Sequence, residues 1–316
     1  MIEKFEMIKK AIGKCPMILL ENELPVNIYT KLEFLNFTGS IKIWPAYYIL
    51  LEAVKNGQIN QNTTIIESSS GNFAIALATI CKKLNLKFIP VIDPNINAYY
   101  RDQLEVLSSE VVMVYKRDES GGFLLSRLEK VKELMTVNED SFWPNQYGNI
   151  NSYIAHYNGI GAELAKSGTR LDYAFISVSS GGTITGVSRR LKEEFPNIQI
   201  IAVDIEGSVI FGQAPKKRTI PGIGSSIVPP ILEHAVIDEV VIVSEEDSKI
   251  GCHRLLEEYG IFAGGSSGTA YHAISQYFKN RDIDNKLNVV FICADNGGAY
   301  INSIYKKISN NLVTQV

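Results

Sequence analysis

The sequence predicts an α/β protein with two domains, each built on a mostly parallel, twisted sheet flanked by helices, and a cleft between them. Short apolar runs alternate with segments of helical periodicity through most of the chain. Strands separated by helices form parallel sheets, because each helix carries the chain back across the sheet. A length of 316 residues is also sufficient for two cores.

The alternation is clearest after residue 60. Strands are predicted at Thr64–Ile66, Lys87–Ile92, Glu110–Val114, Leu171–Val178, Ile198–Val203, Val240–Val243 and Val289–Ile292. Helices are predicted at Asn72–Leu84, Tyr99–Leu107, Leu124–Met135 and Thr183–Phe195. We expect a smaller domain at residues 39–147 and a larger one at residues 1–38 with 148–316. The stretch 207–230 is rich in glycine, proline and serine and is a long connection, which is more often functional than disordered.

The composition argues against several classes of function. The chain has 31 basic and 34 acidic residues and a net charge of −3, so it lacks the basic footprint of a nucleic-acid-binding protein. No apolar run reaches transmembrane length. The scattered cysteines Cys15, Cys81, Cys252 and Cys293 show no CxxC spacing and predict reduced thiols, and a structural metal is not expected. We therefore expect a cytoplasmic protein that acts on small molecules, without nucleic acid or membrane partners.

Lys42 is the first candidate for chemistry. Gly39 and Ser40 precede it, and Ile41, Ile43 and Trp44 surround it. A lysine in an apolar setting loses its charge more easily, which favours imine formation. A solvated surface lysine is the alternative interpretation of this residue alone.

Three glycine- and serine-rich turns precede predicted helices. Ser180-Gly-Gly-Thr183 follows a strand, and free backbone N–H groups, the helix dipole and two hydroxyls suit a phosphate dianion there. Ser68–Asn72 has the hydroxyls and the amide of a carboxylate site. Gly264–Gly268 contains Ser266. A serine, rather than an aspartate, beside the pyridine nitrogen of a cofactor would leave that nitrogen unprotonated, and such a cofactor suits elimination and replacement at the substrate β-carbon. Each turn alone could be an ordinary capped helix start.

A Schiff-base lysine paired with a phosphate anchor is what an enzyme needs to hold pyridoxal phosphate (PLP). The chain resembles the fold-type II PLP enzymes of the cysteine synthase and cystathionine β-synthase family, with a tryptophan synthase β-like fold. The motifs that carry the resemblance are Ile12–Met17, Lys31–Lys42, Ser69–Asn72, Ser180–Thr183 and Gly264–Gly268, in the order of the family. Residues 221–230 resemble the segment of the family that closes onto the cofactor.

The resemblance implies a role for each matching residue. Lys42 would form the Schiff base with the cofactor and then move the substrate Cα proton. The other cofactor contacts would be Asn72 to the 3-oxygen, Ser180, Gly181, Gly182 and Thr183 to the phosphate, and Ser266 to the pyridine nitrogen. Ser69, Ser70 and Gln146 would hold the substrate carboxylate, which places residues 39–147 on the substrate side. The implied reaction is a transferase reaction: β-elimination from an activated serine to an aminoacrylate, followed by addition of a nucleophile. A homodimer is also implied.

Within the family, the chain is most similar to the N-(2-amino-2-carboxyethyl)-L-glutamate synthases of siderophore biosynthesis, which make a precursor of 2,3-diaminopropionate. The segments that carry this likeness are 121–127, 145–147, 178–180, 207–212 and 262–266. It implies O-phospho-L-serine and L-glutamate as substrates. Arg127 would bind phosphate or carboxylate, with hydrogen bonds from Tyr147 and Ser179. The alternatives are a solvated Arg127 paired with Glu129, Glu110 or water, and a Tyr147 that packs as a core aromatic.

Several departures from the family pattern leave the specificity open. Ile43 and Trp44 replace the usual Asp-Arg, Phe73 replaces a threonine, and Ser179 replaces a glycine. Sulfide, giving cysteine, and sulfite, giving cysteate, are alternative nucleophiles, and O-acetylserine is an alternative first substrate. A noncatalytic sensor or scaffold with the PLP fold is a further alternative, which Lys42 disfavours.

Overall fold

The computed structural model describes residues 1–119, 121–279, 281, 283 and 286–306. The strands are Met17–Leu20 (β1), Val26–Leu32 (β2), Thr64–Glu67 (β3), Lys87–Ile92 (β4), Val112–Met113 (β5), Ser141–Phe142 (β6), Tyr173–Ser177 (β7), Gln199–Ile205 (β8), Glu239–Val243 (β9) and Leu287–Cys293 (β10). The helices are Ile2–Ile12 (α1), Ile43–Lys55 (α2), Asn72–Leu84 (α3), Ala98–Leu107 (α4), Leu124–Val137 (α5), Asn151–His156 (α6), Ala162–Ala165 (α7), Gly182–Glu194 (α8), Glu245–Tyr259 (α9) and Gly265–Phe278 (α10). A π-helical turn, Tyr157–Gly161, joins α6 to α7.

The strands form two sheets, which confirms the predicted fold class. The larger sheet has the order β1-β2-β10-β7-β8-β9, and the smaller one has the order β5-β4-β3-β6. The pairs are parallel except that β1 runs antiparallel to β2, with Met17 opposite Lys31. The strands of the smaller sheet lie between residues 64 and 142, and those of the larger sheet lie before residue 33 or after residue 172. The domain limits at 39–147 stay a prediction.

One continuous apolar core connects the two sheets. It contains buried side chains of α1, α2, α3, α6 and α8, and α2 packs against both α3 and α6. A second core lies between the larger sheet and the helix pair α9–α10. Because the strands are parallel, their carboxyl ends meet at one edge of each sheet, where open α/β sheets bind their ligands. The turns after β3 and β7 and the end of β10 lie at these edges.

The predicted helices and most predicted strands occur at or near their expected positions. The strand expected at Glu110–Val114 is shorter and covers only Val112–Met113. The helices α1, α2, α6, α7 and α9 and the strands β1, β2 and β6 were not predicted. The four cysteines are free. Among the described residues, no helix has the length and apolar character needed to cross a membrane.

Candidate active site

Lys42 immediately precedes α2, at the end of a turn that the larger sheet holds in place. Asn36 donates a hydrogen bond to the Ser40 carbonyl oxygen at 2.8 Å, and Ser40 pairs through its backbone with Asp295. Lys42 Nζ lies 3.3 Å from Ser180 Oγ. Desolvation lowers the pKa of the Lys42 amine to about 8, and the Asp295 carboxylate opposes this shift. The lysine is therefore easier to neutralise than an ordinary one, as imine chemistry requires.

The Ser180–Thr183 turn forms the start of α8. Gly181 has φ +84°, a left-handed conformation that favours glycine, and no side chain caps the helix. A Cβ on Gly182 would lie 2.6 Å from Ser152 Oγ, so a side chain is excluded there. Thr183 Oγ1 lies 3.3 Å from His156 Nε2. Burial, followed by the charge of Lys42, lowers the His156 pKa to about 3, which keeps this imidazole neutral.

A single pocket brings the expected cofactor residues together. Its lining includes Lys42, Asn72, Ser180, Gly181, Thr183 and Ser266. Gly182 is the next residue of the same turn. Ser266 lies in the first turn of α10, and its carbonyl oxygen accepts a 2.7 Å hydrogen bond from Ser177 Oγ. Uncapped helical N–H groups, two hydroxyls and a lysine of lowered pKa in one pocket fit a phosphate dianion next to an imine-forming amine.

Asp295 is a pocket residue that the sequence analysis missed. It follows β10 and is buried, and its Oδ2 accepts hydrogen bonds from Asn72 Nδ2 at 2.7 Å and from the Tyr300 hydroxyl at 2.8 Å. Within the described part of the chain, Oδ1 has no hydrogen-bond partner. Burial raises the Asp295 pKa to about 6. Its position at the carboxyl end of a predicted parallel strand was the available signal.

Four of the expected substrate residues come from two neighbouring segments of the smaller sheet. Ser69 and Ser70 follow β3, and Gln146 and Tyr147 follow β6. Arg127 of α5 contacts Ser70 Oγ through Nη1 at 3.4 Å. Its ion-pair partner in the structure is Asp93, 3.4 Å from Nε, rather than Glu129 or Glu110.

Glu67 links these two segments, and the sequence analysis missed this role. Its Oε1 accepts hydrogen bonds from the Ser68 amide at 2.8 Å and from Trp143 Nε1 at 3.0 Å. The backbone amides of Asn145 and Gln146 also interact with the carboxyl group. Burial outweighs these hydrogen bonds and raises the Glu67 pKa to about 7.

The residues that depart from the family pattern have different surroundings. Ile43, Trp44 and Phe73 are buried in the core and do not line the cofactor pocket. Trp44 Nε1 donates a 2.9 Å hydrogen bond to Glu33 Oε2. Ser179 does line the pocket, and its hydroxyl donates to the Gly224 carbonyl oxygen at 3.0 Å. Ser179 thus connects the Ser180–Thr183 turn, called the phosphate turn below, to the long connection 207–230.

Comparison with known proteins agrees with this site. A family model described as "Pyridoxal-phosphate dependent enzyme" matches residues 8–295. The O-acetylserine dependent cystathionine β-synthase from Helicobacter pylori is 32% identical, with a TM-score of 0.86 over 94% of this chain and 98% of that chain. A hydrogen sulfide-producing enzyme from Fusobacterium nucleatum is 29% identical, with a TM-score of 0.86 over 93% and 98%. O-ureido-L-serine synthase, at 23% identity and a TM-score of 0.87 over 96% of both chains, has the same fold.

The family match covers most of the chain, and both the two-sheet architecture and the lysine–phosphate pocket agree with it. The cofactor is therefore pyridoxal phosphate, and the chain belongs to the pyridoxal-phosphate dependent enzyme family, in its fold type II.

Proposed function

We propose that the protein condenses O-phospho-L-serine with L-glutamate to give N-(2-amino-2-carboxyethyl)-L-glutamate, a precursor of 2,3-diaminopropionate for a siderophore. The coarser activity, PLP-dependent β-replacement on a serine derivative, is that of the cysteine synthase and cystathionine β-synthase family to which the chain is similar. In this reaction the Cβ–O bond breaks and inorganic phosphate leaves with the electron pair. A C–N bond then forms from the glutamate amine, which loses a proton.

The observation that carries the choice of phosphoserine is the guanidinium of Arg127 beside the Ser69–Ser70 turn. Its Nη1 lies 3.4 Å from Ser70 Oγ. Its Nε is buried and lies 3.4 Å from Asp93 in an ion pair, so the Nη nitrogens are the ones that remain for an anion. The cofactor phosphate would occupy the Ser180–Thr183 turn, so the phosphate of the substrate needs a separate cation, and Arg127 can supply it.

Bound PLP stabilises negative charge at the substrate Cα, and the chain supplies the remaining functions. Asn72, Ser180, Gly181, Gly182, Thr183 and Ser266 would hold the cofactor. Ser69, Ser70 and Gln146 would hold the substrate carboxylate, with Tyr147 and Ser179 adding hydrogen bonds. Lys42, with its lowered pKa, would take the Cα proton as a neutral amine.

We also propose that residues 39–147 form a substrate-side unit that closes on the rest of the chain, and that the protein is a homodimer. Closure over the reacting groups would exclude water, which otherwise competes with the nucleophile.

A sulfur nucleophile is the second candidate. The 32% identical relative is named for O-acetylserine and cystathionine, and the 29% identical one for hydrogen sulfide. An enzyme of this chemistry would use O-acetylserine as the first substrate and a thiol or sulfide as the second. Sulfite is the other sulfur nucleophile of this candidate and would give cysteate by the same mechanism.

Absorbance spectroscopy of the holoenzyme separates these candidates. Addition of O-phospho-L-serine is expected to shift the cofactor band, and glutamate, but not sulfide or sulfite, is expected to restore it. Released phosphate and the mass of the product identify the reaction. Restoration by sulfide or sulfite alone would discard the glutamate assignment. A response to O-acetylserine only would discard phosphoserine.

The Lys42→Ala variant tests the mechanism. It is expected to lose turnover while retaining part of the phosphate-anchored cofactor, measured by absorbance after dialysis. Lys55→Ala is the matched control, because Lys55 is an exposed lysine of α2 paired with Glu52. Full activity of the Lys42→Ala variant would refute the proposed role.

A further inference from the structure

Arg218 is a cation of the long connection 207–230 and is not one of the residues that line the cofactor pocket. Its Nη2 donates to Ser226 Oγ at 3.0 Å, and its Nη1 donates to the Ile223 carbonyl oxygen at 3.4 Å. Its Nε is buried and has no partner in the described part of the chain. No carboxylate of the described residues lies within ion-pair distance of this guanidinium. Two hydrogen bonds thus fix the orientation of the guanidinium, while no carboxylate in direct contact neutralises its charge.

Arg218 lies beside the wall of the cofactor pocket. A Cβ on Gly224 would lie 2.5 Å from Arg218 Nη1, so the guanidinium packs directly on this glycine. The Gly224 amide donates to the Val178 carbonyl oxygen at 2.8 Å, and its carbonyl oxygen accepts from Ser179. Both Val178 and Ser179 line the pocket. One glycine therefore separates Arg218 from the strand that leads into the phosphate turn.

Arg127 and Arg218 both lie within electrostatic range of Tyr147. Burial raises the Tyr147 pKa, and the positive charges of Arg127 and Arg218 both oppose this shift, so both cations act on the same hydroxyl. Glu67 is the acidic group that acts on it. Arg127 reaches this region from α5 and Arg218 from the connection 207–230, on the side of the larger sheet.

The two arginines differ in their counter-ions. Asp93 lies 3.4 Å from Arg127, whereas Asp204 and Glu245 act on Arg218 only at longer range. The carboxylate of Glu245 is occupied by Thr219, through the hydroxyl at 2.7 Å and the backbone amide. Asp204 is fully buried, and burial raises its pKa. Of the two arginines, Arg218 therefore carries the positive charge that is less neutralised by a nearby carboxylate.

We infer that Arg218 binds the anionic group of the second substrate and selects a dicarboxylic amino acid over neutral nucleophiles. This inference rests on the proposed β-replacement and assigns its second subsite. Arg127, beside Ser70, would face the leaving group of the first substrate, and Arg218 would face the distal carboxylate of the nucleophile. A guanidinium fork makes two parallel hydrogen bonds to a carboxylate, which a lysine at the same position cannot reproduce.

Calorimetric titration of the holoenzyme with glutarate tests this assignment. Glutarate carries both carboxylates of glutamate but no amine, so it binds without reacting. Arg218→Gln is expected to weaken glutarate binding about tenfold or more, since charge-assisted hydrogen bonds are lost. Arg218→Lys is expected to be intermediate. Arg170→Gln, which removes one charge from an exposed arginine paired with Asp172 before β7, is the matched control and is expected to bind like the wild type.

A parallel titration with inorganic phosphate distinguishes the two anions that Arg218 could meet. Weakened phosphate binding with unchanged glutarate binding would assign Arg218 to the leaving group and overturn the inference. Equal glutarate affinity in the Arg218→Gln and Arg170→Gln proteins would also overturn it, as would no glutarate binding to the wild type. Cofactor absorbance and the melting temperature establish that each variant is folded and loaded. Arg218→Lys serves as the test if Arg218→Gln does not fold.

The calorimetric result is separate from the outcome for the proposed function. Absence of turnover with phosphoserine and glutamate, together with Arg218-dependent glutarate binding, would refute the proposed reaction and retain the anion site. Turnover with glutamate whose KM is unaffected by Arg218→Gln would retain the reaction and refute the site.

Discussion

The charge state of Lys42 is set by two opposing neighbours. Burial disfavours the ammonium form, and the Asp295 carboxylate favours it. The first effect is larger, because the resulting pKa of about 8 lies below the ordinary lysine value of 10.5. At neutral pH a useful fraction of the amine is therefore neutral, whereas an exposed lysine would be almost fully protonated.

This balance predicts how Lys42 responds to pH. In the apoprotein, its reaction with an amine-directed reagent is expected to increase through a midpoint near pH 8. Asp295→Asn removes the charge that raises the Lys42 pKa, so the midpoint is expected at lower pH. Mass spectrometry of the peptide that contains Lys42 measures the rate. The same midpoint in both proteins would contradict the electrostatic coupling between the two residues.

The pocket residues that were predicted from the sequence share a local sequence signal. Lys42, Asn72, Ser180 and Ser266 lie in or beside glycine- and serine-rich turns, and the chemistry of each turn is local. Asp295, Glu67 and Arg218 could not be identified in this way. Acidic and basic residues are usually exposed, and only the packing of distant elements shows which of them are buried at a site. Asp295 meets Asn72 across 223 positions of sequence.

The end of β3 and the segment after β6 are joined through one carboxyl group. Glu67 ends β3 and accepts hydrogen bonds from Ser68 and from Trp143. Because β3 and β6 are parallel neighbours, the two segments that follow them lie side by side, with Glu67 between them. The arrangement of the expected carboxylate-binding residues thus depends on a buried acid with a pKa of about 7.

The raised pKa of Glu67 can be detected by measuring how the free energy of unfolding depends on pH. The folded protein holds the Glu67 proton up to about pH 7, whereas the unfolded chain releases it near the ordinary value of 4.5. Between these two values the Glu67 contribution to the free energy of unfolding falls as the pH rises. Glu67→Gln has no carboxyl group that titrates at this position. The free energy of unfolding of the variant, relative to that of the wild type, is therefore expected to increase from pH 4.5 to 7, by about 3 kcal/mol in total.

Denaturant unfolding at pH 4.5, 6 and 8 measures this difference, and subtraction of the two proteins cancels the other buried acids. Trp143 provides a second readout. The chain contains only two tryptophans, and a fluorescence change near pH 7 in the wild type is expected to disappear in Glu67→Gln. A stability difference that does not change with pH would refute the raised pKa.

The helix α8, which begins with the phosphate turn, is held against α6 by a glycine. A Cβ on Gly186 would lie 2.6 Å from the Tyr157 amide nitrogen and 2.8 Å from His156 Cβ. Gly186→Ala is therefore expected to destabilise the fold by about 1–3 kcal/mol and to weaken cofactor retention. Chemical denaturation and dialysis measure the two effects. Gly71→Ala is the control for stability, because no atom lies within 4 Å of its Cβ position; equal losses would exclude the packing explanation.

Secondary structure was predictable where hydrophobic periodicity was clear. Helix α3 begins and ends where it was predicted, at Asn72 and Leu84. Helix α2 was missed because it is buried on almost all sides and has little polar face to reveal its period. Strand β2 was missed because Thr30 and Lys31 are polar and nevertheless buried. Lys31 forms ion pairs with the nearby Glu33 and with Glu163, and the second of these partners is 132 positions away in the sequence.

At the scale of the whole molecule, the site is bounded by both sheets and by the contacts that connect them. Asn72 donates to Asp295, and Asn97 Nδ2 donates to the Ala299 carbonyl oxygen at 2.6 Å. Both hydrogen bonds join residues of the proposed substrate-side unit, 39–147, to the segment after β10. These contacts provide a route by which substrate binding could change the position of that unit.

Closure is expected to be measurable in solution. With O-phospho-L-serine, the catalytically blocked Lys42→Ala protein is expected to show a smaller radius of gyration by X-ray scattering, because the substrate bridges both sides of the cleft. The D-enantiomer of phosphoserine is the control for nonspecific effects. Identical scattering curves with and without the L-enantiomer would argue for a preformed cleft.

The packing of Trp44 in the core restricts which segments of this chain can be exchanged for those of a related protein. Trp44 lies against Gly159 in the π-helical turn, where a Cβ would approach the indole ring to 2.6 Å. A larger residue at 159 would force the buried indole ring of Trp44 to shift, so the two positions are coupled by packing. A chimera that takes its lysine loop from this protein must therefore also take the turn that lies more than 100 residues downstream.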